Sequence, residues 1–331
     1  MNDVKNRLMS WESALLVLLI GSWSVASLTV EGFAGTSNMS FLLLDVSEIA
    51  LMAIPLTLVV ITGEIDLSVA STLGLTSAII GTLWDAGLTL ESIFAIALVV
   101  GAVCGLVNGL LVTRLGLPSL AVTIGTLALY RGLAYVVLGD KAVADFPQAY
   151  TGWATGSIGP IPKPILLVAV LAVIAGVILH ATPLGRSVFA LGYNQEAAYF
   201  AGIRVKRIKL WLFVASGVFA SLAGIVYTLR YSSARADNGT GLELAVVAAV
   251  LLGGVSFFGG RGTLPGVLTG VLVFGVLRNA LILADVSNEV LNFVTGLLLI
   301  SSVLAPNLAT LVRNRKSRTV TPPPLMEGTS V

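Results

Sequence analysis

The 331-residue sequence contains a single cysteine, a single histidine and few charged residues. Cys104 has no second cysteine for an intramolecular disulfide or a multi-cysteine metal site, and its apolar neighbours indicate a small buried side chain. His180 alone cannot supply the several ligands of a typical zinc site. Only 11% of the residues are charged, against about 25% in an ordinary globular domain. The composition therefore excludes an ordinary soluble fold.

The sequence patterns of several enzyme classes are also absent. There is no G-x-x-x-x-G-K-[ST] phosphate loop, no H-E-x-x-H zinc motif and no G-x-S-x-G nucleophile elbow. The net charge is only +2, and nothing in it points to nucleic acid as a partner. We therefore expect a non-catalytic chain with no metal or cofactor of its own.

Long apolar runs make up most of the chain, which is 56% hydrophobic and has a mean hydropathy of +0.97. A membrane crossing takes about 20 apolar residues, and in lipid the backbone polar groups must be paired within the segment, which favours helices. The sequence predicts an all-α polytopic membrane protein with about ten transmembrane helices. The approximate spans are residues 13–30, 41–61 (broken by Pro55), 65–84, 92–113, 120–138, 165–181, 210–229, 242–258, 263–283 and 290–312.

The distribution of charge in the loops predicts an orientation with both termini in the cytoplasm, because Lys and Arg concentrate in the cytoplasmic loops of membrane proteins. The first span follows basic residues but is longer than a signal core and lacks a small-x-small cleavage point, so we expect it to be retained. The cytoplasmic side receives Lys5, Arg7, Arg114, Arg186, Arg204, Lys206, Arg207, Lys209, Arg261, Arg313, Arg315, Lys316 and Arg318. The opposite side receives Asp85, Glu91, Asp140, Lys141, Asp145, Lys163, Arg235, Asp237, Asp285 and Glu289.

Two connections and the C-terminal tail stand apart from the spans. Residues 139–164 are rich in Gly and Pro, contain Trp153 and face outward on this topology. Residues 182–209 face inward and carry five basic residues. We divide the chain into a transmembrane domain, residues 1–312, which includes this inward loop, and a basic tail, residues 313–331. We expect the tail to be disordered, with its basic start lying at the membrane surface.

The inward loop contains a short Ala-rich amphipathic segment, residues 195–200. Asn194 is a good N-cap for one or two helical turns, and Gly202 is a good C-terminal stop. A short helix flanked by basic residues is consistent with two roles. It can lie in the membrane interface, or it can be a docking helix for a cytoplasmic partner.

Glycines at intervals of four residues mark helix faces that allow close approach of another backbone. Gly101, Gly105 and Gly109 form one such face, and Gly266 and Gly270 form a second. We expect both faces to pack against helices of the same chain.

The inward loop resembles the coupling loop of ribose-type sugar ABC permeases. The shared pattern is G-x-N-x-x-A-A-x-x-x-G-I-x-V, and the family usually has Ser where this chain has Ala201. The resemblance implies that a short helix of this loop lies in a cleft of a separate ATPase subunit. The residues of the pattern here are Gly192, Asn194, Ala197, Ala198, Gly202, Ile203 and Val205.

Three further blocks resemble the same family, so the likeness extends from about Pro55 to Val303. TGEIDLSVAS, residues 62–71, is similar to the family's T-G-G-I-D-L-S-V-G-S, with Glu64 in place of a glycine. Residues 105–135 resemble the fourth and fifth helices of that family, and residues 241–283 resemble its C-terminal half. Acidic groups near a membrane boundary need water or a partner, so residues 62–68 are expected to break the helix. Candidate helix-break or pathway residues are Glu64, Asp66, Ser68, Asn108, Asn279 and Asn292.

The resemblance implies a permease subunit of a binding-protein-dependent ABC importer in the bacterial inner membrane. Its cargo would be a monosaccharide such as rhamnose, autoinducer-2 or a ribose-like sugar. Implied partners are a cytoplasmic ATPase that binds ATP and Mg²⁺, an extracytoplasmic sugar-binding protein, a second permease subunit (homodimer or heterodimer) and membrane lipid.

Two alternatives remain open at the level of sequence. An ion-gradient-driven secondary transporter commonly places ionisable groups near the middle of the membrane, whereas the centres of most spans here lack charge. A branched-chain amino-acid ABC permease would share the broad architecture.

Overall fold

A computed structural model describes the backbone of residues 11–318 and the side chains of residues 11–304 except residue 288. Lys5, Arg7 and residues 319–331 of the predicted tail lie outside the described residues. The elements are α1 (Trp11–Thr29), α2 (Thr36–Ile61), α3 (Val69–Asp85), α4 (Leu90–Thr113), α5 (Ser119–Leu138), α6 (Gln148–Thr155), β1 (Ser157–Ile158), β2 (Ile161–Pro162), α7 (Lys163–Ala181), α8 (Pro183–Tyr193), α9 (Gln195–Phe200), α10 (Val205–Tyr231), α11 (Leu242–Leu252), α12 (Leu264–Leu283) and α13 (Asn288–Arg318).

A helix overlaps each of the ten predicted spans, but the described residues contain seven helices that are long and apolar enough to cross a membrane: α1, α2, α4, α5, α7, α10 and α12. The other three are shorter. α3 has 17 residues, α11 has 11, and the apolar part of α13 within the described residues is Glu289–Leu304. The chain is therefore a helical membrane protein, with seven candidate spans within the part that the structure describes.

Several helix ends in the structure differ from the predicted boundaries. α2 continues through Pro55 without a break and begins at Thr36 rather than at residue 41. α11 stops at Leu252 because Gly254 adopts a positive φ of 88°, and Gly253 packs against Val267 too closely for a side chain. α13 continues to Arg318, six residues into the segment assigned to the tail.

α2 lies at the centre of the bundle, and its second half is buried on every face. The predicted glycine faces are confirmed. A Cβ atom at Gly101 would lie 2.4 Å from Gly217 O of α10, and one at Gly105 would lie 2.2 Å from Phe213 O of the same helix. On α12, Gly266 and Gly270 lie against Gly253 and the end of α11. These contacts bring the backbones of neighbouring helices together.

The bundle has two distinguishable ends. At the α9 end, the inward loop forms two helices, α8 and α9, of which only α9 was predicted. At the α6 end, the connection 139–164 forms α6 and a β1–β2 hairpin with Ile158 paired to Ile161. Val143 pairs with Ala234 at this end. The loop that precedes α11 therefore belongs to the α6 end.

Residues 232–241 are non-helical and lie along α3, with Ala234 beside Gly81 and Gly239 beside Ala70. Arg131 of α5 donates hydrogen bonds to Ala236 O and Asn238 O, both at 2.8 Å, and to Ala70 O at 3.2 Å. Non-helical backbone within a membrane protein requires such internal partners. Arg131 therefore holds this segment against α3.

Candidate functional site

The short helix α9 has the ends that the sequence predicts. Asn194 Oδ1 accepts a hydrogen bond from Ala197 N at 2.9 Å, which caps the first turn. Gly202 adopts a φ of +83° and donates to Tyr199 O, while Ile203 N donates to Ala198 O, both at 3.0 Å. This pair of bonds is the Schellman motif, which ends a helix with a left-handed glycine.

The end of α8 is fixed to the bundle at Gly192. A Cβ atom at this position would lie 1.7 Å from Ile61 O at the end of α2 and 2.5 Å from Gly260 N. Gly260 N also donates to Ile61 O at 2.8 Å, so three backbone segments meet at this point. Glycine is required here because no side chain fits between them.

The inner face of the loop packs on itself, and its outer face is open. Ala198 is buried with Leu191 and Val205, and Ile203 packs against them. Ala197 is exposed, and Tyr199 and Phe200 are 68% and 84% exposed. These two aromatic residues line a groove of about 600 Å³ together with Arg204, Lys206 and Arg207, among others. We call Tyr193, Tyr199 and Phe200 the aromatic surface of the loop.

Glu64 forms a buried contact with the same loop. It makes an ion pair with Lys209, and Lys209 Nζ also donates to Gln195 Oε1 of α9 at 2.6 Å. The side chains of Lys209 and Glu64 are only 8% and 15% exposed. We call Glu64, Lys209 and Gln195 the Glu64 cluster. The sequence singled out Glu64 as a helix-break residue but did not connect it to the loop.

Asp66 lies in a separate buried network of neutral polar groups. Its Oδ1 accepts from Ser68 Oγ at 2.6 Å and from Ser68 N at 3.0 Å, and its Oδ2 accepts from Ser216 Oγ at 2.7 Å. Asn108 Nδ2 donates to Ser68 Oγ at 2.8 Å, and Tyr130 OH lies 3.3 Å from Asn108 Oδ1. The structure therefore brings Asp66, Ser68 and Asn108 together and joins them to α5 and α10.

Replacing Ser216 tests the contribution of this network to stability. In Ser216→Ala, one Asp66 oxygen loses its hydrogen-bond donor in a buried site, which should cost about 1–3 kcal/mol. We expect a lower thermal unfolding midpoint in detergent. Ser187→Ala is the matched control, since its hydroxyl is exposed and bonds only within α8. Equal midpoints for the two variants would contradict this reading of the network.

The two remaining candidate residues, Asn279 and Asn292, lie outside the network around Asp66. Asn279 of α12 exchanges two amide hydrogen bonds with Asn38 of α2, at 2.8 Å and 3.0 Å, and joins these helices. Asn292 is exposed on α13. Neither residue contributes to the network around Asp66.

Sequence reasoning missed a buried ion cluster toward the α6 end. Arg230 donates to Asp45 at 2.5 Å and to Glu48 at 3.1 Å, and Tyr231 stacks on its guanidinium at 4.8 Å. Arg230 and Glu48 are almost fully buried, and Arg230 and Tyr231 line a cavity of about 580 Å³ with Ser37, Ser40, Phe41, Leu44 and Thr155. The signal in the sequence was two acidic residues three positions apart in an otherwise apolar run, which places them on one helix face.

A second ion pair at the same end is exposed. Arg235 donates two hydrogen bonds of 2.8 Å to the carboxylate of Asp237. These bonds lower the pKa of the Asp237 side chain from its ordinary value. Because both groups are in contact with solvent, the pair contributes little to stability.

Comparison with known proteins gives the family. A family model described as the branched-chain amino acid transport system/permease component matches residues 38–303. The autoinducer 2 import system permease protein LsrD of Photorhabdus luminescens is 32% identical over 310 residues, covering 90% of this chain and 92% of the relative. LsrD of Klebsiella pneumoniae is 33% identical over 307 residues, covering 91% and 92%.

The ribose import permease protein RbsC of Haemophilus influenzae is 33% identical over 298 residues, covering 89% of this chain and 91% of the relative. No solved structure gives a significant match. The relatives span almost the whole chain, and the four sequence blocks, the glycine-packed helices and the capped loop helix all lie within the aligned length. The chain therefore belongs to the ribose-type branch of this ABC permease family and is a multi-pass protein of the bacterial inner membrane.

Proposed function

We propose that this chain is the membrane subunit of an ATP-driven, binding-protein-dependent importer for a monosaccharide or a related small polyol such as autoinducer-2. It forms the translocation pathway and hydrolyses nothing itself, while a separate cytoplasmic subunit binds ATP and Mg²⁺. The relatives named for autoinducer 2 and ribose import support this cargo class over branched-chain amino acids. An extracytoplasmic sugar-binding protein delivers the cargo, and a second permease subunit completes the pathway.

Ten membrane crossings with both termini in the cytoplasm fit the arrangement of charge. Arg114, Lys206 and Lys209 line one cavity at the α9 end, and Arg204 and Arg207 lie beside it. A concentration of cations at one end is what the positive-inside rule requires of the cytoplasmic face. The α6 end, where Asp237 and Glu91 lie, then faces outward.

The aromatic surface of the loop is the observation that carries this proposal. Exposed aromatic side chains flanked by Arg are typical of protein-binding surfaces, where they are enriched relative to the rest of the surface. The helix that bears Tyr199 and Phe200 is capped at both ends, and the end of α8 just before it is fixed to α2 at Gly192. A displacement of the loop is therefore transmitted to the bundle. We assign this surface to the ATPase subunit.

Truncating the aromatic surface tests the ATPase contact. In Tyr199→Ala/Phe200→Ala, the fold should be kept because both side chains are exposed, while a docking surface loses its two largest anchors. A hot-spot anchor contributes about 2 kcal/mol or more, so the loss of even one of the two should lower the affinity for the ATPase at least about thirtyfold. Binding would be measured with the permease in nanodiscs, and ATP-dependent uptake in proteoliposomes.

Phe293→Ala is the matched control, since this side chain is 70% exposed on α13 and outside the loop. It should bind the ATPase as the wild type does. Unchanged affinity and uptake in the loop variant would reject the docking assignment.

A further inference from the structure

The Glu64 cluster joins three segments that are separate in the chain. Glu64 lies in the non-helical break between α2 and α3, Gln195 is the first residue of α9, and Lys209 lies in the second turn of α10. One ammonium group, Lys209 Nζ, contacts the side chains of the other two residues. The break and the loop helix are therefore held in a fixed relation by a single side chain.

Because both charged side chains are largely buried, separating them would cost free energy. The side chains of Lys209 and Glu64 are only 8% and 15% exposed, at the edge of the cavity that they line with Arg114, so each gains much of its stabilisation from the other. A displacement of α9 together with the start of α10 would carry Gln195 and Lys209 away from Glu64 and would leave a largely buried carboxylate without its cation. Either residues 62–68 move together with the loop, or the Glu64–Lys209 ion pair separates, which costs free energy.

The break is in turn hydrogen-bonded to the core of the bundle. Ile65 N donates to Ser119 Oγ at 3.1 Å, and Ile65 O accepts from Thr123 Oγ1 at 3.2 Å, so the residue after Glu64 is fixed to α5. Asp66 is bound to Ser216 of α10 and, through Ser68, is linked to α4. A movement of Glu64 is therefore transmitted to three helices.

We propose that Glu64 is a positioning residue that couples the ATPase-docking helix α9 to the break between α2 and α3, and through it to the pathway. The inference rests on the proposed function. The family pattern has a glycine at this position, which cannot form the ion pair. This electrostatic connection between the break and the loop goes beyond the general docking role of the loop.

The test is a double-mutant cycle on coupling. The permease is reconstituted in proteoliposomes with its ATPase and binding protein, and ATP hydrolysed per molecule imported is measured for radiolabelled ribose, rhamnose and autoinducer-2. The variants are Glu64→Gln, Lys209→Met and the two combined. Each single variant should raise the ratio about fivefold, a typical size for coupling between sites. The double variant should be no worse than either single one, because both remove the same interaction.

Controls separate a positioning role from a general loss of structure. Arg114→Met removes a cation from the same cavity but leaves the Glu64 cluster intact, so its ratio should equal that of the wild type. Glu64→Gly introduces the residue of the family pattern, and we expect it to fold and to show the raised ratio. The exchanged variant Glu64→Lys/Lys209→Glu should recover part of the coupling.

Two results would overturn the inference while leaving the proposed function standing. One is a wild-type ratio in single variants that assemble with the ATPase, as judged by size-exclusion chromatography. The other is a double variant in which the two single effects multiply. A wild-type complex that assembles with the ATPase and the binding protein but imports neither autoinducer-2 nor any monosaccharide of a broad panel would instead reject the proposed function, together with the inference that rests on it.

Discussion

Gly192→Ala should destabilise the protein and greatly reduce ATP-dependent uptake. The added methyl group would lie 1.7 Å from Ile61 O and 2.5 Å from Gly260 N, and both are backbone atoms that no rotamer change can move. The end of α8 must therefore separate from α2, which also strains the hydrogen bond from Gly260 to Ile61. We expect a loss of about 3 kcal/mol in the free energy of unfolding, at the upper end of the range for overpacked sites.

Thermal unfolding in detergent and uptake in proteoliposomes would measure the two effects. Gly132→Ala is the matched control, because this glycine lies in α5 with open space around its Cβ position. It should be neutral or slightly stabilising, since alanine is the better helix former. Similar unfolding midpoints for the two variants would show that the end of α8 is not held as tightly as the contact at Gly192 requires.

Arg230→Met should have the largest effect on stability among the ion-pair variants. It leaves Asp45 and the almost fully buried Glu48 without their cation inside the bundle. Breaking a buried ion pair by removing one partner costs about 3–5 kcal/mol, because the remaining charge is uncompensated. A clear fall in the thermal unfolding midpoint, with lower expression in the membrane, is the expected result.

Two comparisons make this prediction specific. Arg235→Met removes an exposed guanidinium that pairs only with its neighbour Asp237, so its unfolding midpoint should stay near that of the wild type. Adding Asp45→Asn and Glu48→Gln to Arg230→Met removes the whole ion cluster and should recover part of the lost stability. If the triple variant is less stable than Arg230→Met, the loss does not come from uncompensated charge.

Local features of this fold could be predicted because their cause lies within a few residues. Asn194 and Gly202 determine the ends of α9 through hydrogen bonds to the adjacent turns. Gly101 and Gly105 are four residues apart and therefore lie on one face of α4, so the spacing alone predicted close packing without identifying the partner helix. The break at residues 62–68 followed from two acidic residues in an apolar region.

Long-range pairings could not be predicted in the same way. Glu64 and Lys209 are 145 positions apart, and Glu48 and Arg230 are 182 positions apart. A buried charge indicates that a partner is needed, but only the packing of α10 against α2 and the break determines which residue that is. The early end of α11 has a similar cause. Its apolar sequence continues to Phe258, but the helix ends where Gly254 adopts a positive φ, beside the close contact of Gly253 with α12.

The shortness of α11 has a consequence for biogenesis. Eleven residues of helix extend about 16 Å, roughly half of a hydrocarbon core about 30 Å thick. Such a segment cannot act alone as a stop-transfer sequence when the nascent chain leaves the translocon. We expect α11 to insert only once α12 has been synthesised, because Gly266 and Gly270 of α12 lie against the end of α11 and the residue after it. α11 and α12 should therefore enter the bilayer together, as one hairpin whose helices have already paired.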